Sequence, residues 1–291
     1  MTRRILIVVN PHRTETVDAG RLVASTLRDA GIETCFDYKC GVSEPIEAAI
    51  VLGGDGTMLH AAEVTHGSRI PLLGVNLGHV GFLAELERED VTQAAARLAS
   101  GDYSIEERRT LEVVVIEPDG TRHEGWALNE ATLERANLHS TLEVVVEVDG
   151  RPLSTFGCDG VIISTATGST AHAFSAGGPV LWPNVDALLF VPLAAHALFA
   201  RPLVVGPDSY FAVEVMGRSE SPGHVILDGS RSIDVPLGGR LEVRRAEATV
   251  LLARMSDAPF TERLVKKFSL PIHGWRGEQL SQDNDPPDED G

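Results

Sequence analysis

The chain has 291 residues, 43% hydrophobic and 23% charged, a composition that supports two packed domains and excludes a largely disordered chain. With 25 basic against 42 acidic residues the formal net charge is −17, which excludes nucleic-acid or anionic-membrane binding through a broad positive surface. Six of the acids, and no base, fall in residues 278–291.

Residues 5–9, Ile-Leu-Ile-Val-Val, are an all-apolar run closed by Asn10-Pro11, the pattern of a parallel strand buried on both faces. Residues 14–30 set Val23, Leu27 and Ala30 on one helical stripe that Gly31 ends. A short strand is expected over 32–38. A second buried run, 48–52, leads straight into Gly53-Gly54-Asp55-Gly56-Thr57, and residues 58–64 read as a helix. Residues 72–75 give a further strand, ending in Asn76-Leu77-Gly78, and the Ala- and Leu-rich stretch 90–99 a further helix. Such β and α units in alternation predict an open parallel sheet.

Near residue 103 the period changes. Thr110-Leu-Glu-Val-Val-Val recurs as Thr141-Leu-Glu-Val-Val-Val, and each copy runs into Asp-Gly, at 119–120 and 149–150. Asp-Gly between β-rich runs marks a hairpin, so a pair of similar hairpins in one antiparallel sheet is expected. Further β-like runs cover 161–164, 202–205, 211–215, 224–227, 232–235, 241–244 and 249–253, with one helix near 170–176. Residues 258–276 read as a closing segment with a helix at 261–268. The tail, with Pro286-Pro287, is expected to be disordered. The longest apolar stretch, 187–200, is broken by Pro192 and His196 and is too short for a membrane span. The first ten residues hold too short an apolar run for a signal-peptide core. Cys35, Cys40 and Cys158 are too few for a disulfide framework or a four-cysteine zinc site, and read as reduced thiols of a cytoplasmic protein.

Three segments carry candidate chemistry. Gly53–Thr57 lies where a buried strand enters a helix, at the carboxyl end of a strand, where open sheets bind ligands. Glycines there let backbone N–H groups approach phosphate oxygens, and the helix start favours an anion. An Asp among them repels phosphate unless it holds Mg²⁺ or accepts a proton from an attacking hydroxyl. A tight Gly-rich turn is the plain alternative. Only Lys39, Lys266 and Lys267 are lysines, and none follows a glycine, which excludes a Walker A loop; a dinucleotide fingerprint lacks its third glycine. The second segment, residues 157–179, is a strand entering a hydroxyl- and glycine-rich loop, suited to ribose and phosphate or, more plainly, to a capped loop. The third, Asn129-Glu130, pairs an amide with a carboxylate that can hold ribose hydroxyls; alone it reads as a solvated strand end. The histidines show no metal-ligand spacing.

In this order the segments resemble the NAD kinase family. Gly53–Thr57 matches its GGDGT motif, residues 76–83 its NLGxLGFL segment, Asn129-Glu130 its NE motif, and 159–178 its DGxxxSTPTGSTAY…SAGGP stretch. The resemblance spans roughly residues 1–276. It implies a fold of class α/β plus β: an N-terminal α/β open-sheet domain (Rossmann-like, related to phosphofructokinase and diacylglycerol kinase) over 1–105, a β-rich domain over 106–257, a segment at 258–276 returning to the first, and a tail at 277–291. It implies transfer of the γ-phosphoryl of ATP, or of polyphosphate, to the adenosine ribose 2′-hydroxyl of NAD⁺, with Asp55 as general base. Mg²⁺ would be held by the donor phosphates, with no protein ligand set of its own. Carried over by position, Gly53, Gly54, Asp55, Gly56, Thr57 and His60 would meet the nucleotides. So would Asn129, Glu130, Asp159, Thr170, Ala171, His172, Ala173, Phe174 and Ser175. A homodimer or homotetramer is implied.

Three positions depart from the family pattern: Ala166 for its usual Pro, His172 for its usual Tyr, and His60 where Arg is frequent. They bear on affinity more than on reaction type. The competing readings are a non-catalytic NAD-binding regulator and a lipid or sugar kinase on the related scaffold.

Overall fold

The computed structural model describes residues 3–37, 45–78, 81–256 and 258–272. Cys40, His79, Val80 and the expected acidic tail lie outside these.

The first section alternates as its sequence pattern requires: β1 (Arg4–Val9), α1 (Thr14–Asp29), β2 (Glu33–Phe36), β3 (Ala48–Leu52), α2 (Asp55–Val64), β4 (Leu72–Asn76), β5 (Leu86–Glu87) and α3 (Val91–Ser100). Strands β1, β3 and β4 are buried on both faces because helices cover both. On one face Val23, Ala24 and Leu27 of α1 and Ala94, Ala95 and Leu98 of α3 pack on Ile5, Ile7, Ile50, Leu52 and Leu73. On the other, Met58, Ala61 and Ala62 of α2 pack on Leu6, Val8, Ala49 and Val51. Helix α2 begins at Asp55, three residues before the expected start, because Gly54 takes the N-cap and glycines mask a helix start in the pattern.

The second section is β6 (Ser104–Ile116), β7 (Arg122–Ala127), β8 (Glu130–Arg135), β9 (Leu142–Val148), β10 (Arg151–Cys158), β11 (Gly160–Ser164), α4 (His172–Ser175), β12 (Leu188–Leu193), β13 (Leu203–Val205), β14 (Tyr210–Val215), β15 (Gly223–Leu227), β16 (Arg231–Val235) and β17 (Arg240–Arg254). Helix α5 (Phe260–Phe268) closes the described chain. Both repeated hairpins form, β6–β7 and β9–β10, with Gly120 and Gly150 in the left-handed region their turns require. They do not form a separate antiparallel sheet. Among the described residues one eleven-stranded sheet runs β10-β9-β14-β17-β4-β3-β1-β2, with β5, β6 and β7 attached. Strand β17 makes the join. Along one edge it pairs antiparallel with β6; its other edge is shared by β14, antiparallel, and β4, parallel, at Leu252–Leu72. The runs 241–244 and 249–253 are thus one strand with a bulge between Arg245 and Thr249, which the sequence pattern shows as a break.

A second sheet of six strands, β13-β12-β11-β8-β15-β16, packs on the antiparallel part of the first. Alternate residues of facing strands fill the space between: Leu111, Val113 and Val115 of β6, and Phe211 and Val213 of β14, against Leu133, Val161, Ile163 and Phe190. Pro192 lies past the three β12 residues that pair β13, so its missing N–H breaks no ladder there. Cys158 is free and buried, and burial pushes its thiol up to about 12. Cys35, read as a reduced thiol, is disulfide-bonded. A cysteine count carries no information on how closely two sulfurs approach. No described helix is long and apolar enough to cross a membrane.

Candidate functional site

The carboxyl ends of β1, β3 and β4 face one way and carry Asn10, Gly53 and Asn76. Gly53 is needed as glycine: a Cβ there would stand 2.3 Å from the Thr57 hydroxyl. Gly54, Gly56, Thr57 and His60 line a cavity of about 400 Å³ with Val9, Asn10, Pro11 and Arg13. At its rim His60 Nε2 lies 3.1 Å from Asp37 Oδ2, so a histidine beside a carboxylate stands where a fixed cation was the family expectation.

Asp55 opens α2 and points away from that helix. Its Oδ2 accepts from the Phe82 N–H and its Oδ1 from the Leu83 N–H, both at 2.9 Å. The sharp approach requires Gly81, where a Cβ would lie 2.2 Å from Asp55 Oδ1. Behind residues 82–83 is a buried charge network. Arg254 donates to the Leu83 carbonyl at 3.2 Å and pairs with Glu106, which also pairs with Arg108 at 2.8 Å. Arg108 is only 3% exposed, and burial pulls its guanidinium down to about 10.

The second half of the site is built on the start of β8. Asn129 and Glu130 are buried, and Asn129 Oδ1 and Glu130 Oε2 have no partner among the described residues. Their backbone is held by Asp228. Its carboxylate accepts from Leu128 N at 2.8 Å, Asn129 N at 2.7 Å and Glu130 N at 3.3 Å. Arg231 pairs with it at 3.0 Å and lies over the Trp126 ring. Burial, and then the carboxylate of Asp228, push the Glu130 carboxyl up to about 8, against the His172 N–H that it accepts. Burial raises Asp228 too, against its backbone donors and Arg231.

The hydroxyl-rich loop is sewn onto that turn. Thr165 Oγ1 donates to the Leu128 carbonyl at 2.7 Å, and Ser164 Oγ to that of Asn129 at 3.1 Å. Gly168 packs so closely that a Cβ would stand 2.2 Å from the Asn129 carbonyl oxygen. A 3-10 turn, Gly168–Thr170, then leads through Ala171 into α4 with His172, Ala173, Phe174 and Ser175, and the His172 N–H donates to Glu130. His172 Nδ1 lies 3.4 Å from Thr132 Oγ1. Phe82, Leu83, Arg108, Ala166, Thr167 and Thr170 border a small void of about 10 Å³ with Pro183 and Phe260. A larger cavity of about 620 Å³, bordered by His66, Trp126, Tyr210 and Arg244, contains none of the residues expected from sequence.

The ATP-NAD kinase N-terminal domain model matches residues 40–103, and the ATP-NAD kinase C-terminal domain model matches residues 128–255. The chain belongs to the NAD kinase family. The NAD kinase of Leifsonia xyli subsp. xyli is 51% identical, over 94% of this chain and 97% of that one. That of Corynebacterium diphtheriae is 46% identical over 94% and 93%. Yeast NADH kinase complexed with NADH has the same fold, at TM-score 0.84 and 20% identity over 93% of this chain and 88% of that one. So does an NAD kinase from Archaeoglobus fulgidus in complex with ATP, at TM-score 0.72 and 23% identity over 93% and 100%. The protein is accordingly a phosphotransferase.

Of the positions carried over from the NAD kinase pattern, Asp159 stands apart from Glu130 along one strand pair. Ser164 pairs with Glu130 and Gly160 with Glu134, so Asp159 lies at the far end of that ladder, about 15 Å away by strand rise. It is exposed there and paired with Arg135 at 2.8 Å. Sequence reading missed Asp228, since Asp228-Gly229 carries the same dipeptide as the hairpin turns. It missed the arginines because nothing local distinguishes Arg108, Arg254 or Arg263 from surface charge.

Proposed function

We propose that the cleft transfers the γ-phosphoryl of ATP to the adenosine ribose 2′-hydroxyl of NAD⁺, giving NADP⁺, with Asp55 as general base. The observation that carries this is the Asp55 carboxylate, held by the Phe82 and Leu83 N–H groups at the start of α2 and flanked in the chain by Gly54 and Gly56, which line the cavity at the strand ends. The cradle, Gly54, Gly56 and Thr57 with Arg13 and His60, suits phosphates at a helix start. The orphaned oxygens of Asn129 and Glu130 suit hydroxyl and amino donors of a nucleoside. With its carboxyl raised to about 8, Glu130 carries a proton at neutral pH and donates as well. Residues 170–175 then close over the bound nucleotide. Phosphoryl transfer asks for little more: an in-line hydroxyl, a group taking its proton, and neutralised phosphates. Mg²⁺ bound by the donor phosphates would supply that neutralisation.

The division into a donor-binding unit, residues 1–105, and a nucleoside-binding unit, 106–257, follows from this reading. The protein works in the cytoplasm as a homo-oligomer; Leu198 and Phe199 in the β12–β13 connection and Val204 on the edge strand β13 expose apolar surface, as a self-associating chain would.

The test is NADP⁺ formation from NAD⁺, ATP and Mg²⁺, read by an NADP-specific dehydrogenase, for wild type and Asp55→Asn. The expected result is turnover by wild type and a loss of about 10²–10⁴-fold in the variant with NAD⁺ binding kept. Wild-type turnover by Asp55→Asn overturns the base assignment. Polyphosphate in place of ATP in the same assay decides the donor.

A further inference from the structure

We infer that Arg263, on the C-terminal helix α5, is a positioning residue that fixes the Asp55 carboxylate through the peptide group joining Phe82 and Leu83. The inference rests on Asp55 acting as the base.

The chain of contacts is short. Arg263 Nη1 donates to the Phe82 carbonyl oxygen at 3.2 Å. That carbonyl and the Leu83 N–H are two ends of one planar peptide. The N–H end donates to Asp55 Oδ1 at 2.9 Å. A cation on the oxygen fixes the tilt of the plane and polarises its N–H, strengthening the bond to the carboxylate.

This peptide needs an outside tie. Residues 81–85 belong to no helix or strand. Both ends of helix α5 reach Phe82: its ring lies 5.9 Å from that of Phe260 and 5.8 Å from that of Phe268, the first and last residues of the helix. Arg263 sits between those rings on the same helix.

The charge arrangement points the same way. Arg263 is half-buried, and burial together with the neighbouring Arg254 disfavours its charged form, while Glu85, Glu106 and Asp55 favour it. Glu106 is already paired with Arg254 and Arg108. Glu85 accepts from the Met255 and Ser256 N–H groups. Among the described residues Arg263 forms no ion pair, and its hydrogen bond goes to the Phe82 carbonyl. A guanidinium set beside another guanidinium, with no carboxylate of its own, is spent on one peptide, and that peptide faces Asp55.

The experiment is a kinetic cycle of wild type, Arg263→Met, Asp55→Asn and the double variant, with Arg263→Lys beside them. Arg263→Met is expected to lower kcat about ten- to a hundred-fold, with KM for NAD⁺ and ATP little changed. Because Arg263 acts through Asp55, the double variant is expected to be no slower than Asp55→Asn. The bond to Phe82 is single, so Arg263→Lys is expected to stay within about threefold of wild type. If Arg263→Met does not fold, the inference stands on Arg263→Lys and on Arg263→Gln, which is expected to lose kcat. Equal proportional losses in both Asp55 backgrounds would make Arg263 merely structural and overturn the inference. A raised KM for ATP at unchanged kcat would put the guanidinium on the donor and overturn it too. Wild-type turnover by Asp55→Asn would instead remove the base reading on which both rest.

Discussion

Replacing Asp228 tests how the nucleoside half of the site is held. In Asp228→Ala three backbone N–H groups at the start of β8 lose their acceptor, and Arg231 loses its nearer carboxylate, keeping Glu63 at 3.9 Å. Hydrogen bonds to a charged group contribute about 1.5–3 kcal/mol each. The bond to Glu130 N, at 3.3 Å, is the longest of the three. Burial of the carboxylate, which raises its proton affinity, offsets part of the sum. The net loss is expected to be about 3 kcal/mol, or a fall in Tm of about 6–12 °C. Asp228→Asn keeps an acceptor oxygen but loses the charge, and is expected to fall about half as far. Thermal unfolding measures both, and KM for NAD⁺ measures whether Asn129 and Glu130 have moved; Asp228→Ala is expected to raise it well before it alters KM for ATP. A wild-type Tm and wild-type KM for NAD⁺ in Asp228→Ala would refute the reasoning, because those N–H groups have no other acceptor in place.

Glu130 ties stability to pH. Its carboxyl is ordinary, near 4.5, when unfolded and about 8 when folded. Between these values the folded state holds the extra proton, so stability falls as pH rises through that window. Glu130→Gln has no such proton, and from pH 5 to 8 denaturant unfolding should show wild type losing about 3 kcal/mol more than the variant; equal losses would mean that Glu130 titrates as it does in water. At Gly81 the perturbation is steric. Alanine puts a carbon 2.2 Å from Asp55 Oδ1, which is pinned and must give up its bonds to residues 82–83. Gly81→Ala is expected to lower kcat about a hundred-fold with NAD⁺ binding retained by calorimetry, and a wild-type kcat would show that the carboxylate works from elsewhere.

Much of this was legible in the sequence because it is local. All-apolar runs such as 48–52 mark strands covered on both faces, and the Asp-Gly turns mark their hairpins. Gly53–Thr57 and Asn129-Glu130 are contiguous, so their chemistry can be read directly. What escaped is what the chain assembles across distance. Asp228 reaches Asn129 from 99 residues away, and Arg263 reaches Phe82 from 181 away. The parallel and antiparallel sections looked separable because the strand that fuses them contains a bulge, and a bulge interrupts the hydrophobic period just as a loop does. Asp159 adjoins the hydroxyl-rich segment in sequence, and only the β8–β11 register shows that it stands about 15 Å from Glu130.

The join at β17 also sets an order of events during synthesis. Strand β4 ends at Asn76, yet the neighbour that covers its edge is not made until Leu252 leaves the ribosome. For most of translation the nascent parallel sheet therefore presents an open, apolar edge, a template for pairing with other chains. The short strand β5 meets only its last two residues, Val75 and Asn76. The parallel α/β section is complete in sequence long before it is complete in structure. Truncation anywhere before β17 should consequently yield aggregates rather than a working half, and β17 is the strand that commits the first half to its fold.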